Sequence, residues 1–153
     1  MSESRPRAAR PLVGWREYVA FPDLGIPFVR AKIDTGARTS SLHANRLHHY
    51  EVDGEDWIRF TVPERKGRPA IRVEAPLAGT KRVTSSNGET QTRFFIYTRL
   101  RIGDRTFPAE VTLSNRSRMD YAMLVGRTSL AKRFNVDVAK SWLQGRAERN
   151  PPA

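Results

Sequence analysis

The residues best suited to chemistry in this chain follow directly on a predicted strand. Ile26 to Ile33 is typical of a strand, and it runs straight into the sequence Asp34-Thr35-Gly36-Ala37. Such a strand would carry the Asp34 carboxylate onto a tight turn, where the small Gly36 lets backbone amides approach that carboxylate closely. A bare Asp-Thr-Gly triplet is most often only a turn, so its role depends on the rest of the chain.

A second segment, about 90 residues later, has the composition needed to support that turn. Ala122 to Val125 is a short, fully apolar strand stopped by Gly126. Arg127 to Phe134 is predicted to form two helical turns with its apolar side chains four residues apart on one face. We expect the strand to pack behind the Asp34 turn and Gly126 to leave room for it.

Hairpins fill the rest of the chain, which therefore reads as mainly β. The predicted strands, besides Ile26 to Ile33 and Ala122 to Val125, are Pro11 to Phe21, Trp57 to Val62, Ala70 to Ala75, Arg93 to Ile102 and Thr106 to Leu113. Lys81 to Gln91 is predicted to be a projecting hairpin, because Asn87-Gly88 tolerates the positive φ angles of a tight turn. The polar stretch between His43 and Asp56 is expected to be irregular.

Composition excludes several classes of function. The chain has 153 residues, 39% of them hydrophobic, a formal net charge of +11 and no cysteine. This is one globular domain without disulfides, thiol nucleophiles or cysteine-based metal sites. Neither a membrane span nor a secretory leader is predicted, and a cytoplasmic location fits. Because the positive charge is spread along the chain and no nucleic-acid-binding motif accompanies it, we do not expect nucleic acid to be the main partner.

Taken together, these motifs resemble the retropepsin-type aspartic peptidases. They are most similar to a bacterial branch often labelled "ATP-dependent zinc protease" and encoded beside RimK-type ATP-grasp ligases. The resemblance covers residues 11–143 and is carried by Lys32-Ile33-Asp34-Thr35-Gly36-Ala37, Ser41-Leu42-His43-Ala44, Ser86-Asn87-Gly88 with Arg93, Asn115-Arg116-Ser117 with Met119, and Leu124-Val125-Gly126-Arg127.

The resemblance implies an all-β, retropepsin-like closed barrel with one short helix near the C-terminus. The domain would span residues 11–143, between a flexible basic arm (1–10) and a flexible tail (144–153). Because an aspartic peptidase needs two carboxylates and the chain has one such triplet, the resemblance implies a homodimer with an Asp34 from each chain at the cleft. In that family the threonine, here Thr35, bonds across the interface, and Gly36 shapes the turn.

The predicted function is hydrolysis of peptide or isopeptide bonds, with an acidic, poly-glutamate tail as substrate because RimK-type ligases add glutamates to a ribosomal protein. The alternative is a non-catalytic module that binds and regulates such a ligase or the ribosome. Candidate substrate-binding residues are Ala37, Arg38, Ser86, Asn87, Gly88, Arg93 and Arg127. Two questions stay open: Ser85 to Gly88 is either a flap or an ordinary surface hairpin, and Arg127 either binds substrate or ties loops together.

The sequence also contains weak candidates for a metal site and for a phosphate site. The three histidines, His43, His48 and His49, lack the His-Glu-x-x-His spacing of a zinc peptidase. We therefore predict no metal, with His43 structural near the active loop and the other two on the surface. Arg127 at a helix start is compatible with phosphate binding, but solvated basic side chains explain it better. No cofactor is predicted, and any ATP in the system would belong to a partner.

Overall fold

The computed structural model of the chain describes residues 9–85, 87–115 and 117–146, and most of these residues are in strands. In chain order the elements are β1 (Leu12–Val13), β2 (Arg16–Phe21), a 3-10 turn (Pro22–Leu24), β3 (Ile26–Ile33), β4 (Ser40–His43), β5 (Asn45–Val52), β6 (Glu55–Val62), β7 (Ile71–Pro76), β8 (Gly79–Thr84), β9 (Thr90–Ile102), β10 (Arg105–Ser114), β11 (Met123–Val125), α1 (Arg127–Leu130) and β12 (Asn135–Val136).

Six of these strands close into a barrel, which confirms the predicted all-β, retropepsin-like fold. The order is β10-β4-β11-β3-β2-β9, and β9 pairs back with β10 to close the ring, while β8 pairs with the other edge of β9. The interior is apolar, and its largest fully buried side chains include Phe21, Leu42, Ile96, Leu100 and Met123. In the described part of the chain, no helix is long and apolar enough to span a bilayer.

Two parallel pairings bring distant segments together at one end of the barrel. β11 lies parallel to β3, with Val125 opposite Ile33, and β10 lies parallel to β4, with Ser114 opposite His43. β11 also pairs with β4, in the antiparallel sense. As a result, the residues that follow β3 and those that follow β11 leave the barrel side by side.

A separate three-stranded sheet, β5-β6-β7, corrects one prediction. The stretch before Asp56 is not irregular, because β5 occupies Asn45–Val52 and pairs with β6 in an antiparallel hairpin. The turn places Asp53 (φ 52°) and Gly54 (φ 82°) in the left-handed region, as a tight hairpin turn requires. Because every residue of β5 is exposed or half-exposed, the strand shows no apolar alternation in the sequence.

The first predicted strand and the helix also differ from the structure. Pro11 to Phe21 is split into β1 and β2 at Gly14, where an added Cβ would lie 2.1 Å from Lys140 O. The helix ends at Leu130, four residues earlier than predicted, because Ala131 is extended (ψ 132°) and Lys132 is left-handed (φ 67°). The two apolar side chains predicted to share its face, Leu130 and Phe134, are both buried.

The predicted arm and tail fall largely on undescribed residues, since 1–8 and 147–153 lie outside the described ranges. The described beginning of the tail is packed on the domain. Gln144 N donates to Glu17 Oε1 at 3.0 Å, and Gln144 Nε2 donates to Leu12 O at 2.8 Å. The contacts that hold the described chain to the barrel therefore include residue 144, the first residue of the predicted tail.

Candidate active site

The Asp34 loop, residues 34–39, begins where β3 ends. Asp34 N donates to Val125 O at 2.9 Å, which ties the loop to β11. Asp34 Oδ1 accepts hydrogen bonds from Gly36 N at 3.0 Å and Ala37 N at 3.2 Å. A Cβ at position 36 would lie 3.3 Å from that oxygen, so glycine is the residue that fits there most easily. One carboxylate oxygen is thus held by two backbone amides, while Asp34 as a whole remains partly exposed.

Gly126 lets the Asp34 loop pack against the end of β11. A Cβ at this position would lie 2.4 Å from Thr39 O, a distance that no real Cβ contact reaches. Gly126 N donates to Ser40 Oγ at 3.1 Å, and that hydroxyl lies 3.0 Å from Ser129 Oγ. The prediction that Gly126 leaves room for the loop is confirmed.

The start of α1 holds the other side of the loop. Arg127 N donates to Ala37 O at 2.8 Å, and Thr128 N donates to Arg38 O at 3.1 Å. The Arg127 guanidinium also donates to Gly36 O at 3.2 Å. Because loop carbonyls already occupy these helix-start amides, they are not available for a phosphate. Arg127 was expected either to bind substrate or to tie loops together. Its hydrogen bond to Gly36 O is a contact of the second kind.

A cleft of about 1030 Å³ lies against the Asp34 loop. It is bounded by the loop, by strand β8 of the predicted projecting hairpin, by residues 118–121 before β11, and by single residues of β3, β4, β9, β10 and β11. The lining residues are Lys32, Asp34, Gly36, Ala37, Arg38, Thr39, Ser41, Lys81, Arg82, Val83, Thr84, Ser85, Arg93, Thr112, Arg118, Met119, Asp120, Tyr121 and Leu124.

Positive charge dominates this cleft. Two of the lining residues are acidic, Asp34 and Asp120, whereas six are basic: Lys32, Arg38, Lys81, Arg82, Arg93 and Arg118. Lys81 pairs with Glu110, which cancels part of its charge. Burial lowers the pKa of the Arg93 guanidinium, but arginine titrates so far above neutrality that the group stays charged. The cleft is therefore suited to a negatively charged chain.

The hairpin of β8 and β9 forms as predicted, although its turn is not a two-residue Asn-Gly turn. Ser85 N donates to Glu89 O at 2.8 Å, and Gly88 adopts φ 87°. Asn87 Oδ1 accepts from Glu89 N at 3.0 Å and from the Ser85 hydroxyl, so the Asn87 side chain is used within the turn itself. The end of strand β8 and the first turn residue, Ser85, line the cleft, whereas Asn87 and Gly88 do not.

Some of the predicted site residues line the cleft, and others do not. Those that line the cleft are Asp34, Gly36, Ala37, Arg38 and Arg93. Those that the structure describes outside the lining are Thr35, Asn87, Gly88 and Arg127. Ser86 lies outside the described residues. Among the lining residues that were not predicted, Lys81 and Arg82 carry the clearest sequence signal, because they belong to the predicted projecting hairpin, one of whose two open interpretations was a flap over the substrate.

None of the three histidines is among the residues that line this cleft. His43, on β4, is buried, as expected for a structural residue. His48 and His49 are exposed on β5, and His49 Nε2 lies 2.8 Å from Asp56 Oδ1. Among residues 9–85, 87–115 and 117–146, no three histidine, aspartate or glutamate side chains converge in a way that could hold a metal ion.

Comparison with known families gives a match over nearly the whole domain. Residues 12–147 match a family called RimB-like and described as "Retropepsin-like aspartic endopeptidase RimB". Among solved structures, the Legionella pneumophila protein Lpg0085, of unknown function, aligns with a TM-score of 0.75 at 27% identity, covering 89% of this chain and 99% of that one.

Three curated relatives are each named "Probable alpha-L-glutamate ligase". The protein from Desulfotalea psychrophila is 37% identical over 86% of this chain, that from Shewanella pealeana 37% over 88%, and that from Parasynechococcus marenigrum 40% over 82%. The matched region makes up only 29%, 30% and 28% of those proteins, respectively. The chain thus spans less than a third of the length of the ligases it matches.

Proposed function

This chain belongs to the RimB-like family of retropepsin-like aspartic endopeptidases, and from that premise we propose that it hydrolyses peptide or isopeptide bonds through a dyad of Asp34 carboxylates, one from each of two copies. The observation that carries this proposal is the hydrogen bonding and exposure of the Asp34 carboxylate. Its carboxylate is held by two backbone amides, is partly exposed, and lines an open cleft. That is the arrangement a group needs if it is to exchange protons with a bound substrate.

The proposed reaction needs one ionised and one protonated carboxylate. The ionised Asp34 takes a proton from water, whose oxygen adds to the amide carbon, while the protonated Asp34 gives its proton to the amide oxygen. The tetrahedral gem-diol then returns a hydroxyl proton to the ionised carboxylate, the C–N bond breaks, and the amine takes the proton of the other carboxyl group, which restores the dyad with one proton. The bonds from Gly36 N and Ala37 N fix Asp34 Oδ1, so that the second oxygen, which has no partner among the described residues, is left for the water and the shared proton.

A second copy of the chain is required because the described cleft contains a single Asp-Thr-Gly loop. Thr35 and Gly36, at the tip of that loop, are both exposed. The resemblance assigns Thr35 to a hydrogen bond across the interface, and its exposure is consistent with such a contact. We therefore place the two Asp34 loops together on the axis of a symmetric dimer.

An acidic peptide is the substrate class that the charge of the cleft favours. Arg38 and Arg93 lie in the same cleft as Asp34, and a planar guanidinium can hold a carboxylate by two hydrogen bonds. The relatives named as glutamate ligases contain a region similar to this chain as less than a third of their length. We propose that the chain trims poly-glutamate tails built by a RimK-type ATP-grasp ligase, with that ligase as a cytoplasmic partner.

Cleavage of a synthetic peptide ending in a run of glutamates tests this proposal. The wild-type protein should release glutamate-containing fragments, detected by mass spectrometry, and Asp34→Asn should lower the rate by at least about 10³-fold. The melting temperature should stay level or rise, because the variant dimer no longer places together two carboxyl groups that repel when both are ionised. Asp120→Asn is the matched control, since Asp120 is the other carboxylate lining the cleft.

Three results would count against the proposal. If Asp34→Asn and Asp120→Asn lowered the cleavage rate equally, the catalytic pair would be Asp34 and Asp120 of one chain and not two Asp34 residues from two chains. Binding of the peptide without cleavage by the wild type would favour the non-catalytic regulator. Equal cleavage of glutamate and glutamine peptides would contradict the proposed acidic substrate but would still support peptidase activity.

A further inference from the structure

We infer that Tyr121 contacts the bound peptide directly and that Arg16 is the residue that positions it; this inference rests on the proposed function. Tyr121 is half-buried and lines the same cleft as Asp34. It is the only tyrosine among the lining residues that the structure describes. Its hydroxyl lies 2.9 Å from Arg16 Nη1 on β2, a residue 105 positions away in sequence.

The chemistry of this hydrogen bond leaves the tyrosine proton free. A guanidinium has only donors, so Arg16 donates and the Tyr121 oxygen accepts. The phenol hydrogen must then point to a different acceptor. Within the described ranges, Tyr121 makes no other hydrogen bond. Arg16 therefore leaves the Tyr121 hydroxyl as a donor, available to a carbonyl or carboxylate oxygen of a peptide in the cleft.

Aromatic rings hold Arg16 in place. Its guanidinium lies over the Trp15 ring at 4.6 Å and over the Trp142 ring at 4.9 Å, as cation–π contacts. Trp142 also stacks on Tyr18, with a centroid distance of 4.4 Å. Because two aromatic rings already contact this guanidinium, Arg16 loses little freedom when it bonds Tyr121.

The Tyr121 ring is held as firmly as its hydroxyl. It meets the Trp15 ring edge-on at 5.8 Å, and the Arg30 guanidinium lies 5.6 Å from its centroid. Trp15 O accepts a hydrogen bond from Ile33 N at 2.7 Å, directly before Asp34. The same tryptophan thus supports both Tyr121 and the strand that presents Asp34, which fixes the two side chains relative to each other.

Binding of fluorescein-labelled hexaglutamate to the Asp34→Asn full-length protein tests this inference without cleavage. Tyr121→Phe removes only the hydroxyl and should weaken binding about tenfold, the loss expected for one hydrogen bond to a charged group. Tyr97→Phe is the matched control, because Tyr97 is 68% exposed on β9 and does not line the cleft; its affinity should be unchanged. In the Asp34-containing enzyme, Tyr121→Phe should raise KM more than it lowers kcat.

A double variant tests the positioning role of Arg16. Arg16→Lys keeps the charge but loses the planar group that stacks and bonds Tyr121, so it should also weaken binding. Combined with Tyr121→Phe, it should add less than a further twofold, because both changes remove the same interaction. Losses that multiply in the double variant would overturn the positioning role, even if Arg16→Lys also lowers the melting temperature.

The outcomes separate this inference from the proposed function. Hexaglutamate binding that Tyr121→Phe leaves within twofold overturns the contact with Tyr121, while Asp34-dependent cleavage continues to support the peptidase. If the protein neither binds hexaglutamate nor cleaves any glutamate peptide, the proposed function fails, and this inference fails with it.

Discussion

Glu17 and Asp34 each accept hydrogen bonds from two or more backbone amides, but the surroundings of the two carboxylates differ. Glu17, on β2, is completely buried; its Oε2 accepts from Gly14 N at 2.8 Å and Leu143 N at 2.9 Å, and its Oε1 accepts from Gln144 N at 3.0 Å. Asp34 accepts two such bonds on one oxygen and remains partly exposed.

The comparison shows that amide donors alone do not make a carboxylate reactive. Glu17 has protein donors on both oxygens and no solvent access, so it fastens residues 143–144 to β2. Asp34 has one oxygen without a partner among the described residues, and a cleft beside it. A free oxygen and an open approach are what a proton-transferring group requires.

The largest effect on stability is expected at Glu17. Glu17→Gln replaces a double acceptor with an amide whose NH2 group would face backbone N–H donors in a buried site. We expect the free energy of unfolding to fall by about 2–3 kcal/mol, measured by urea denaturation. Cleavage well below the melting temperature should persist. Glu51→Gln is the matched control, since Glu51 is exposed on β5. A Glu17→Gln protein as stable as this control would show that the amide contacts are not stabilising.

A smaller loss of stability is expected when either of two closely packed glycines, Gly14 or Gly126, is replaced by alanine. A Cβ at Gly14 would lie 2.1 Å from Lys140 O, beside Glu17, and a Cβ at Gly126 would lie 2.4 Å from Thr39 O, beside the Asp34 loop. Each alanine substitution should lower the free energy of unfolding by roughly 1–3 kcal/mol, because backbone must move.

Only one of these two variants should affect catalysis. Gly126→Ala should lower kcat/KM strongly in the folded protein, because it displaces the loop that presents Asp34, whereas Gly14→Ala should leave kcat/KM near the wild-type value. Peptide cleavage by both variants, measured at a temperature where both are folded, checks this difference. Equal losses in the two would mean that the Asp34 loop is not held separately from the Glu17 region.

The smallest effect is expected at Asp23, a carboxylate that is bound by a side chain instead of by amides. Arg99 Nε donates to Asp23 Oδ2 at 2.8 Å, and this guanidinium lowers the pKa of the Asp23 carboxyl below its ordinary value of 3.8. A depressed folded-state pKa stabilises the protein above pH 3.8, and the stabilisation is lost as pH falls through the folded-state value.

Asp23→Asn should therefore lower the melting temperature slightly at pH 7, and the difference from wild type should shrink as the pH is taken below 3.8. The change should be small because the pair is solvent-exposed. Thermal unfolding of both proteins across this pH range is the measurement. A gap between the two that widens on acidification would contradict the assignment.

Much of the fold follows from local patterns in the sequence. Ile26–Ile33 is a strand with the predicted boundaries, and the hairpins of β6 with β7 and of β9 with β10 form as predicted. Strand β5 was not predicted, because its side chains are exposed on both faces and leave no alternating pattern.

Some residues of the candidate site could likewise be predicted from the sequence, and others could not. Asp34 and Gly126 are recognisable from sequence because each is defined by its immediate neighbours, a strand before a turn and an apolar run before a glycine. Lys32, Lys81 and Arg118 are ordinary surface-type cations in the sequence, and only the fold places them in one cleft with Asp34. The net positive charge of the cleft therefore could not be predicted from the sequence.

Local patterns in the sequence predict most of the strands and the loop that bears the carboxylate, because periodicity and glycine's backbone freedom act between adjacent residues. The tertiary structure decided which distant groups meet: Tyr121 with Arg16, and Glu17 with residues 143–144. These contacts depend on the closed barrel and on the parallel pairing of β3 with β11, which sets Met123 opposite Ala31, about 90 positions earlier in the chain. No local pattern encodes such a pairing, since it is selected by the packing of the whole core.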